Sequence, residues 1–459
     1  MIEIIIPEII IGIFAIIVLL LPRTGIKPLY ITLIGLMMGL LFSLNPIYGI
    51  AFNNSIKVDT LSTLFRLIFI GITTLVTLAS VEFKDIQTYF SLLLTALLGM
   101  LITSSSGDLI VLYMGLELTA LSTYCLVGFT KKKISIEASM KYFLSGAFFS
   151  AVTLFGISLV YGLTGSIYFN DILIPQNPVG LIAVLFLIGG FGFKAAIVPF
   201  HMWLADTHSG APTPISAFLS GGVVNLAFVA FLRVFLSIST LSSEWGLILA
   251  VLSILTMSFG NIVALSQRAI KRMFAYSTIA QMGYILVGIA ISSEYGDIGK
   301  FAIMASLLHL TVHLFMKGGA FIAVGSIYDT IGHEIEDYIG LRKRAPVTAF
   351  FMTIFLISLA GLVPMGGFIS KLLLLISTIK SNNYMFILGI SLLLNSIISC
   401  VYYGRIIRNM YFMQPDNEEK VEIPIGFIVA MGISAIIVIL IGIYPTPFVE
   451  FINNVSVSL

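Results

Sequence analysis

A succession of long apolar stretches runs through the whole chain and leaves few folds open to it. About fourteen stretches of this kind fit into the 459 residues. A helix needs about 20 consecutive apolar residues to cross the hydrocarbon core of a bilayer. We therefore predict an all-α polytopic membrane protein, with residues 1–459 forming a single transmembrane domain. The predicted spans are 2–21, 28–44, 61–81, 89–105, 108–129, 138–162, 179–199, 213–235, 245–265, 273–292, 300–326, 346–378, 384–406 and 424–444.

The composition supports this class and excludes others. Charged residues make up only 10% of the chain, whereas a soluble domain carries about 25%. There is no basic arm or patch of the size that nucleic-acid binding needs. The two cysteines, Cys125 and Cys400, lie in separate apolar runs, so they cannot supply a CxxC site, an iron–sulfur cluster or a disulfide framework. The first apolar segment lacks a basic n-region and a cleavage site, so we expect it to be a retained span.

Two segments interrupt the regular pattern. Residues 346–378 are too long for one ordinary span and contain "GLVPMGG" in their middle, which predicts a broken helix. Residues 199–216, "PFHMWLADTHSGAPTPIS", are rich in proline and polar groups. Interrupted backbone is tolerated at membrane depth only where protein or water satisfies its polar groups.

The loops carry their basic residues unevenly. Loops after odd-numbered spans hold fifteen and loops after even-numbered spans hold three, namely Lys57, Lys300 and Lys380. The larger set comprises Arg23, Lys27, Lys84, Lys131, Lys132, Lys133, Arg268, Lys271, Arg272, Arg342, Lys343, Arg344, Arg405, Arg408 and Lys420. The positive-inside rule then places the odd loops in the cytoplasm and both termini outside.

Four ionisable residues lie deep within four different spans: Glu117, Lys194, Lys317 and Lys371. A charge at mid-bilayer is unfavourable by at least about 2.5–3.5 kcal/mol on insertion scales, so such groups are rare and mark proton or ion pathways. Glu117 can pair with a lysine, or be a carboxylate hydrogen-bonded to neighbouring helices. Lys194 and Lys371 can titrate inside the protein, or reach towards the headgroups. Arg66 in the third span can anchor a carboxylate or neutralise Asp59.

His309, His313 and Lys317 are spaced four apart in "LLHLTVHLFMKGG" and form one polar stripe on a helix. Histidine can accept a proton on one ring nitrogen and release it from the other, so the stripe is suited to a proton relay. An i, i+4 histidine pair can also hold a metal ion, although no third carboxylate ligand is evident. A purely structural polar seam is the remaining interpretation.

Several long motifs resemble the antiporter-like membrane subunits of respiratory complex I and its relatives. They are "GLELTALSTYCLVGFTKKKISIEASMKYFLSGAFFSAVTLFGISLVYGLTGSI", "KAAIVPFHMWLADTHSGAPTPISAFLSGG", "QRAIKRMFAYSTIAQMGYILVG" and "HLTVHLFMKGGAFIAVG". The match covers roughly residues 58–410 and is most similar to the N-type subunit. It implies about 14 transmembrane helices, two inverted five-helix repeats (105–235 and 245–410) with a broken helix in each, and a hydrated polar axis.

The resemblance also implies roles for individual residues. Glu117 matches the fifth-helix glutamate of the family and Lys194 the seventh-helix lysine that pairs with it. Lys371 matches the charged residue of the twelfth helix that ends the axis, and the 309–317 stripe matches the segment that links the repeats.

The chain departs from the family pattern in three places. The eighth-helix lysine or histidine, eight residues before the arginine of "FLRVF", is Asn225 here. Asparagine cannot carry the charge, so we expect the central relay to rest on the 309–317 stripe. The later break reads "VPMGGF" where the family often has two prolines, and the histidine-rich stripe is more similar to the longer L- and M-type siblings.

The resemblance implies a proton-translocating subunit of a complex I-type oxidoreductase driven by NAD(P)H or F420H2, with a quinone or phenazine acceptor. No cofactor is expected in this chain; FMN or FAD, iron–sulfur clusters and quinone are expected in partner subunits. The expected partners are L-, M-, K-, J- and A-type membrane subunits and lipid, in the inner (cytoplasmic) membrane of a prokaryote. The alternatives are a subunit of a multisubunit Na+/H+ antiporter or of a membrane-bound hydrogenase, and a scaffold without transport activity.

Overall fold

The structure, a computed structural model, describes residues 2–22, 27–236, 242–294, 296–381, 385–415 and 419–457, without the side chains of 242–244. Arg23, one of the fifteen loop residues counted above, lies outside these ranges. The first half of the chain forms α1 Ile6–Leu20, α2 Pro28–Leu44, β1 Gly49–Ala51, β2 Ile56–Val58, α3 Thr60–Ala79, α4 Gln87–Ser104, α5 Leu109–Val127, α6 Lys133–Thr164, α7 Pro178–Lys194, α8 Trp203–Gly210, α9 Thr213–Phe218 and α10 Val224–Phe235. The second half forms α11 Ser242–Ser266, α12 Ile270–Ile291, α13 Gly296–Gly325, α14 Tyr328–Ile331, α15 Leu341–Arg344, α16 Pro346–Ala360, α17 Gly366–Lys380, α18 Phe386–Phe412, α19 Ile425–Ile443 and α20 Thr446–Val457.

Within these residues, eleven helices are long and apolar enough to cross a membrane, and α2, α7 and α16 are shorter apolar helices. Each of the fourteen predicted spans falls on one of them, which confirms the all-α membrane class; the exact number of crossings stays a prediction. The C-terminal helix α20 was not predicted.

The helix ends follow local sequence signals. Asp59 caps α3 by accepting a hydrogen bond from the Ser62 amide at 2.9 Å, Asp108 caps α5 and Asn177 caps α7. Such side chains satisfy backbone N–H groups that have no partner within the helix. Proline opens α2, α7 and α16, where its missing N–H costs nothing.

The helices differ in how far they are buried. The continuous α9–α10 rod, α12 and α13 are buried along nearly their whole length, whereas α1, α6, α11, α18 and α19 present apolar side chains outward. Helix α13 lies at the centre and packs against α9, α12, α16, α17 and α19. The polar stripe predicted on residues 309–317 therefore lies in the middle of the bundle.

Two spans are broken. The predicted span 179–199 was wrong about its end, because α7 stops at Lys194 and Ala196 has a left-handed φ of 53°. The predicted span 346–378 is divided into α16 and α17, as "GLVPMGG" indicated, and Gly361 closes α16 at a φ of 83°. A cis peptide bond precedes Pro199 in the first break and Pro364 in the second.

The two faces of the bundle differ in their connections. Loops with Lys131–Lys133, Arg268–Arg272 and Arg342–Arg344 lie on one face, which we call the basic face. The antiparallel hairpin of β1 and β2 lies in a connection on the other face, where Phe52, Asn53 and Asn54 take the positive φ values of its tight turn.

Candidate functional site

Glu117 and Lys194 form an ion pair between α5 and α7. Lys194 Nζ lies 3.1 Å from Glu117 Oε1, and the lysine side chain is 8% exposed while that of the glutamate is 23% exposed. Helix α5 is held against α4 by Gly99 and Gly115, where any side chain would collide with the facing helix. Small residues permit this close approach of membrane helices. Because Glu117 is more exposed than Lys194, the ion pair is accessible from the side of its carboxylate.

The first break positions Lys194 at the end of a helix. Lys194 is the last residue of α7, where the aligned peptide dipoles place partial negative charge and favour a cation. The Trp203 indole N–H donates to the Phe193 carbonyl at 2.8 Å and so satisfies a backbone group that the break exposes. Trp203 in turn stacks on Tyr142 of α6 at a centroid distance of 4.4 Å.

Asn225 is the second residue of α10, which follows a single π-helical turn, Leu219–Val223, at the end of α9. Its amide nitrogen donates to the Gly221 carbonyl at 2.6 Å. Its buried carbonyl oxygen has no hydrogen-bond partner among the described residues. Turns of this kind occur often at functional sites because they widen the backbone locally. Helix α10 contacts α7, whereas α9 and the π-helical turn contact α13, so the rod that carries Asn225 packs against both lysine-bearing helices.

Lys317 is fully buried on α13 and donates to the Ser277 hydroxyl of α12. Its ammonium group also lies 4.9 Å from the centre of the Phe274 ring and 6.0 Å from that of Phe321. Cation–π contacts of this kind offset part of the desolvation of a buried ammonium group. No carboxylate forms an ion pair with Lys317 in the part of the chain that the structure describes.

The two histidines of the stripe have different environments. His309 lies with Nδ1 2.9 Å from the Ser370 hydroxyl and Nε2 2.9 Å from Gln281 Oε1. His313, one turn further along α13, is equally buried, yet neither ring nitrogen has a hydrogen-bond partner among the described side chains and backbone groups. His309 is therefore held in place by two helices, whereas His313 keeps both nitrogens available.

Lys371 lies at the second break. Its ammonium group donates to the carbonyls of Leu359 and Ala360, at 3.0 and 3.3 Å, which are the last carbonyls of α16. It also lies 4.6 Å from the centre of the Tyr284 ring. A cation at a helix C-terminus satisfies carbonyls without intrahelical partners and interacts favourably with the dipole. The second break therefore holds a lysine as the first one does.

A polar network continues outward from Lys371. The Tyr284 hydroxyl accepts a hydrogen bond from Asn261 of α11 at 3.2 Å. Asn261 also donates to Asn395 of α18 at 3.0 Å and accepts from the Tyr402 hydroxyl at 2.8 Å. This cluster links α11, α12 and α18 and reaches Lys371 through the Tyr284 ring.

The structure thus joins some of the predicted site residues and not others. Glu117 and Lys194 are in direct contact. His309 and Lys371 are linked through Gln281, because the Gln281 amide donates at 3.3 Å to the same Leu359 carbonyl that accepts from Lys371. Between Lys194 and Lys317, the described residues show no continuous chain of hydrogen bonds.

The sequence interpretation missed a polar stripe on α12. Ser277, Gln281 and Tyr284 follow each other at helical spacing and face the stripe on α13. The i, i+4, i+7 pattern in "STIAQMGY" was a readable signal for it. His208 lies in the irregular segment 199–216, and the structure buries it completely.

Two further ion pairs lie near the hairpin face. Arg66 contacts Glu8 of α1 at 2.6 Å, which settles the open question of its partner. Asp59 is instead held by Arg233 of α10, at 2.5 and 2.8 Å. Burial alone would raise the pKa of Asp59, but the Arg233 guanidinium beside it outweighs burial and holds that pKa below its usual range.

Comparisons with known proteins find the same architecture. Residues 106–399 match the family model described as NADH:quinone oxidoreductase/Mrp antiporter, transmembrane. The F420H2 dehydrogenase subunit N of Methanosarcina mazei is 38% identical over 430 residues, covering 89% of this chain and 86% of the relative. The NADH-quinone oxidoreductase subunit N of Desulforamulus reducens is 36% identical over 423 residues, covering 89% and 87%.

Solved structures agree. A chain of the membrane-bound sulfane sulfur reductase, an archaeal respiratory membrane complex, superposes with a TM-score of 0.89 at 27% identity, covering 98% of this chain and 96% of that one. A chain of respiratory complex I from Thermus thermophilus gives 0.84 at 27% identity, covering 97% and 99%.

Proposed function

Because the chain belongs to the NADH:quinone oxidoreductase/Mrp antiporter family of membrane subunits, we propose that it is the N-type subunit of a complex I-like oxidoreductase and translocates protons. The observation that carries this proposal is the Glu117–Lys194 ion pair at the first break, 3.1 Å across. Three further buried cationic or titratable positions, Lys317, His309 and Lys371, lie beyond it. If these residues had no role in transport, apolar residues at the same depths would make the protein more stable.

The first step of the proposed cycle separates the ion pair. Glu117 is the more exposed partner. A charge that appears beside α5 therefore attracts or repels the Glu117 carboxylate more strongly than the Lys194 ammonium group. Two unit charges 4 Å apart interact by about 4 kcal/mol at an effective dielectric of 20. Removal of this attraction lowers the proton affinity of Lys194 by nearly three orders of magnitude. Lys194 then releases its proton towards the interior of the bundle.

The second step carries a proton along α13. Lys317 receives it beside Ser277, and His313 passes it on with its two free ring nitrogens. His309 and Gln281 connect to Lys371, from which the network of Tyr284, Asn261 and Tyr402 leads outward. Asn225 holds the space between Lys194 and Lys317 in which the family often places a charge.

The redox reaction belongs to other subunits in this proposal. This chain contributes no redox group, and flavin, iron–sulfur clusters and quinone are bound by partner subunits of the assembly. The partners in the membrane are L-, M-, K-, J- and A-type subunits, embedded with this chain in the inner membrane of a prokaryote. The basic face points to the cytoplasm and both termini point outside.

The alternative, a subunit of a Na+/H+ antiporter or of a hydrogenase, uses the same fold. The relatives at 36% and 38% identity bear the names of N-type dehydrogenase subunits, and these names favour the oxidoreductase. The likeness to a chain of the Mrp complex, at 18% identity, concerns the fold alone.

The test is the variant Lys194→Met in the complete complex, reconstituted in vesicles. Electron transfer and proton uptake are measured in the same sample. We expect pumping by this subunit to stop while the complex assembles normally, because Met fills the space of lysine without its charge. Lys420→Met, at an exposed position outside the bundle, is the matched control. Normal pumping by an assembled Lys194→Met complex would refute the proposed role.

A further inference from the structure

A pocket opens on the face opposite the basic face, where α13 begins and where α17 and α20 end. Its volume is about 400 Å³. The loops on this face carry only three lysines, Lys57, Lys300 and Lys380. Lys300 and Lys380 are far apart in the sequence, yet both line this one pocket. The packing of three helix ends therefore gathers two cations on a face whose loops hold few of them.

Each of the two lysines is held in place by an uncharged group. Lys380 Nζ lies 4.4 Å from the centre of the Phe301 ring, and Lys300 Nζ donates to the Val457 carbonyl of α20 at 3.4 Å. Neither lysine forms an ion pair with a carboxylate of the described residues. An ammonium group has three N–H donors, so both lysines keep donors that these contacts do not use.

The pocket carries a net positive charge. Asp297 is the one carboxylate among the described residues that line it, and Asn453 of α20 adds an uncharged polar side chain. Like charges in a shared pocket repel each other, and an anion that lies between them offsets this repulsion. Phosphate has several acceptor oxygens and forms strong hydrogen bonds with cationic donors. The pocket is therefore suited to a phosphate group that contacts both lysines.

An apolar surface leads away from the pocket along the outside of the bundle. Leu372 and Ile379 lie two turns apart on one stripe of α17, and Ile379 directly precedes Lys380. Phe386 and Ile390 lie at the start of α18, which packs against α17, and all four apolar side chains are exposed. A free anion gains nothing from such a surface. A phospholipid, in contrast, can place its acyl chains on this surface and its phosphate in the pocket.

We propose that this pocket binds the phosphate of an anionic phospholipid, whose acyl chains lie along α17 and α18. Lys300 and Lys380 donate to the phosphate oxygens, as expected for lysines near a membrane surface that contains anionic lipids. The bound lipid joins the start of α13 to the end of α17, the helices that carry Lys317 and Lys371. This inference goes beyond the proposed function and does not depend on proton translocation.

The test uses the complete complex, exchanged into detergent and titrated with phosphatidylglycerol. Native mass spectrometry counts the lipid molecules that each complex retains. The double variant Lys300→Gln with Lys380→Gln removes both charges, whereas Lys300→Arg with Lys380→Arg keeps them. Asn453→Asp adds a negative charge to the pocket and leaves both lysines in place. Lys57→Gln is the control, because it removes the third lysine of the same face outside the pocket.

We expect the wild-type complex to retain one more phosphatidylglycerol than the glutamine double variant does. Each lysine near a membrane surface strengthens the binding of anionic lipid by about a factor of five, so the double variant should need a roughly 25-fold higher lipid concentration. Asn453→Asp should also lose the lipid, whereas the arginine variant and Lys57→Gln should retain it. Phosphatidylcholine, which carries no net charge, should not occupy the site.

Three results would each overturn the inference. The first is equal retention of phosphatidylglycerol by the wild type, the glutamine double variant and Asn453→Asp. The second is retention of phosphatidylcholine as strong as that of phosphatidylglycerol, which would mean that the lysines do not select the headgroup. The third is displacement of the lipid by an equal concentration of inorganic phosphate, which would make the pocket a site for a soluble anion.

Discussion

Gln281 and His309 form a hydrogen bond across the interface of α12 and α13, with 2.9 Å between Gln281 Oε1 and His309 Nε2. The amide nitrogen of Gln281 donates to the Leu359 carbonyl at 3.3 Å. Lys371 donates to this carbonyl as well, at 3.0 Å. One glutamine therefore couples the central stripe to the second break.

Replacement of Gln281 by leucine removes this coupling and retains most of the side-chain volume. We expect proton uptake per electron to fall, because His309 loses the partner that fixes its ring and the Leu359 carbonyl loses one donor. Pumping assays on reconstituted complex measure the effect. Gln267→Leu, directly after α11, where the side-chain amide donates only to the nearby Val263 carbonyl and Ser266 hydroxyl, serves as the control. Equal pumping by both variants would show that Gln281 is only a packing residue.

The double variant His313→Ala, Lys317→Ala tests the middle of the stripe. Both residues are fully buried, and we propose that they stand in for the charge that the family often places in the eighth helix. We expect the double variant to assemble and to lose pumping. Normal pumping, measured as the proton gradient formed per electron pair, would show that water alone carries protons across this region.

Asn225 gives the complementary test. Its amide donates to the Gly221 carbonyl, and it has no charge to contribute. We expect Asn225→Ala to reduce pumping less than Lys317→Met does, since alanine removes a hydrogen bond but no titratable group. Side-by-side initial rates of proton uptake decide this. A larger loss in Asn225→Ala would mean that this position, and not the 309–317 stripe, carries the central transfer.

The pH dependence of stability follows from Asp59 and Arg233. The pKa of Asp59 is below its usual range in the folded protein, so its contribution is complete above the unfolded-state pKa. This contribution is lost as the pH falls through the folded-state pKa. We expect Asp59→Asn to lower the free energy of unfolding by about 3 kcal/mol at neutral pH, because Arg233 loses its carboxylate.

Thermal unfolding in detergent at several pH values measures this difference. The gap between wild type and Asp59→Asn should close as the pH falls through the acidic range. Asp85→Asn, at an exposed site before α4, provides the comparison. A gap that stays constant down to strongly acidic pH would contradict the assignment.

The sequence predicted the membrane class, the two breaks and the deep charges, since long apolar runs and isolated charges are visible without knowledge of packing. It could not predict which charges meet. Asp59 pairs with a residue 174 positions away and Glu8 with one 58 positions away, and only the packing of the helices decides these partners. The burial of His208 could not be predicted for the same reason, because it depends on how the irregular segment packs against α13.

The pair of Glu8 and Arg66 distinguishes a structural from a functional buried charge. Arg66 is 1% exposed, and Glu8 Oε1 accepts from it and from the Ser105 hydroxyl at 3.0 Å, whereas the buried Oε2 of Glu8 has no hydrogen-bond partner among the described residues. Removal of one partner leaves an unpaired buried charge and costs about 3–5 kcal/mol, whereas replacement of both by apolar residues of similar volume is often neutral. We therefore expect Arg66→Met to destabilise the protein and Glu8→Leu with Arg66→Met to restore most of the stability, with pumping unchanged in the double variant. Unfolding temperatures and pumping rates, measured on the same preparations, check both parts. A stable double variant that fails to pump would assign this pair to the proton path as well.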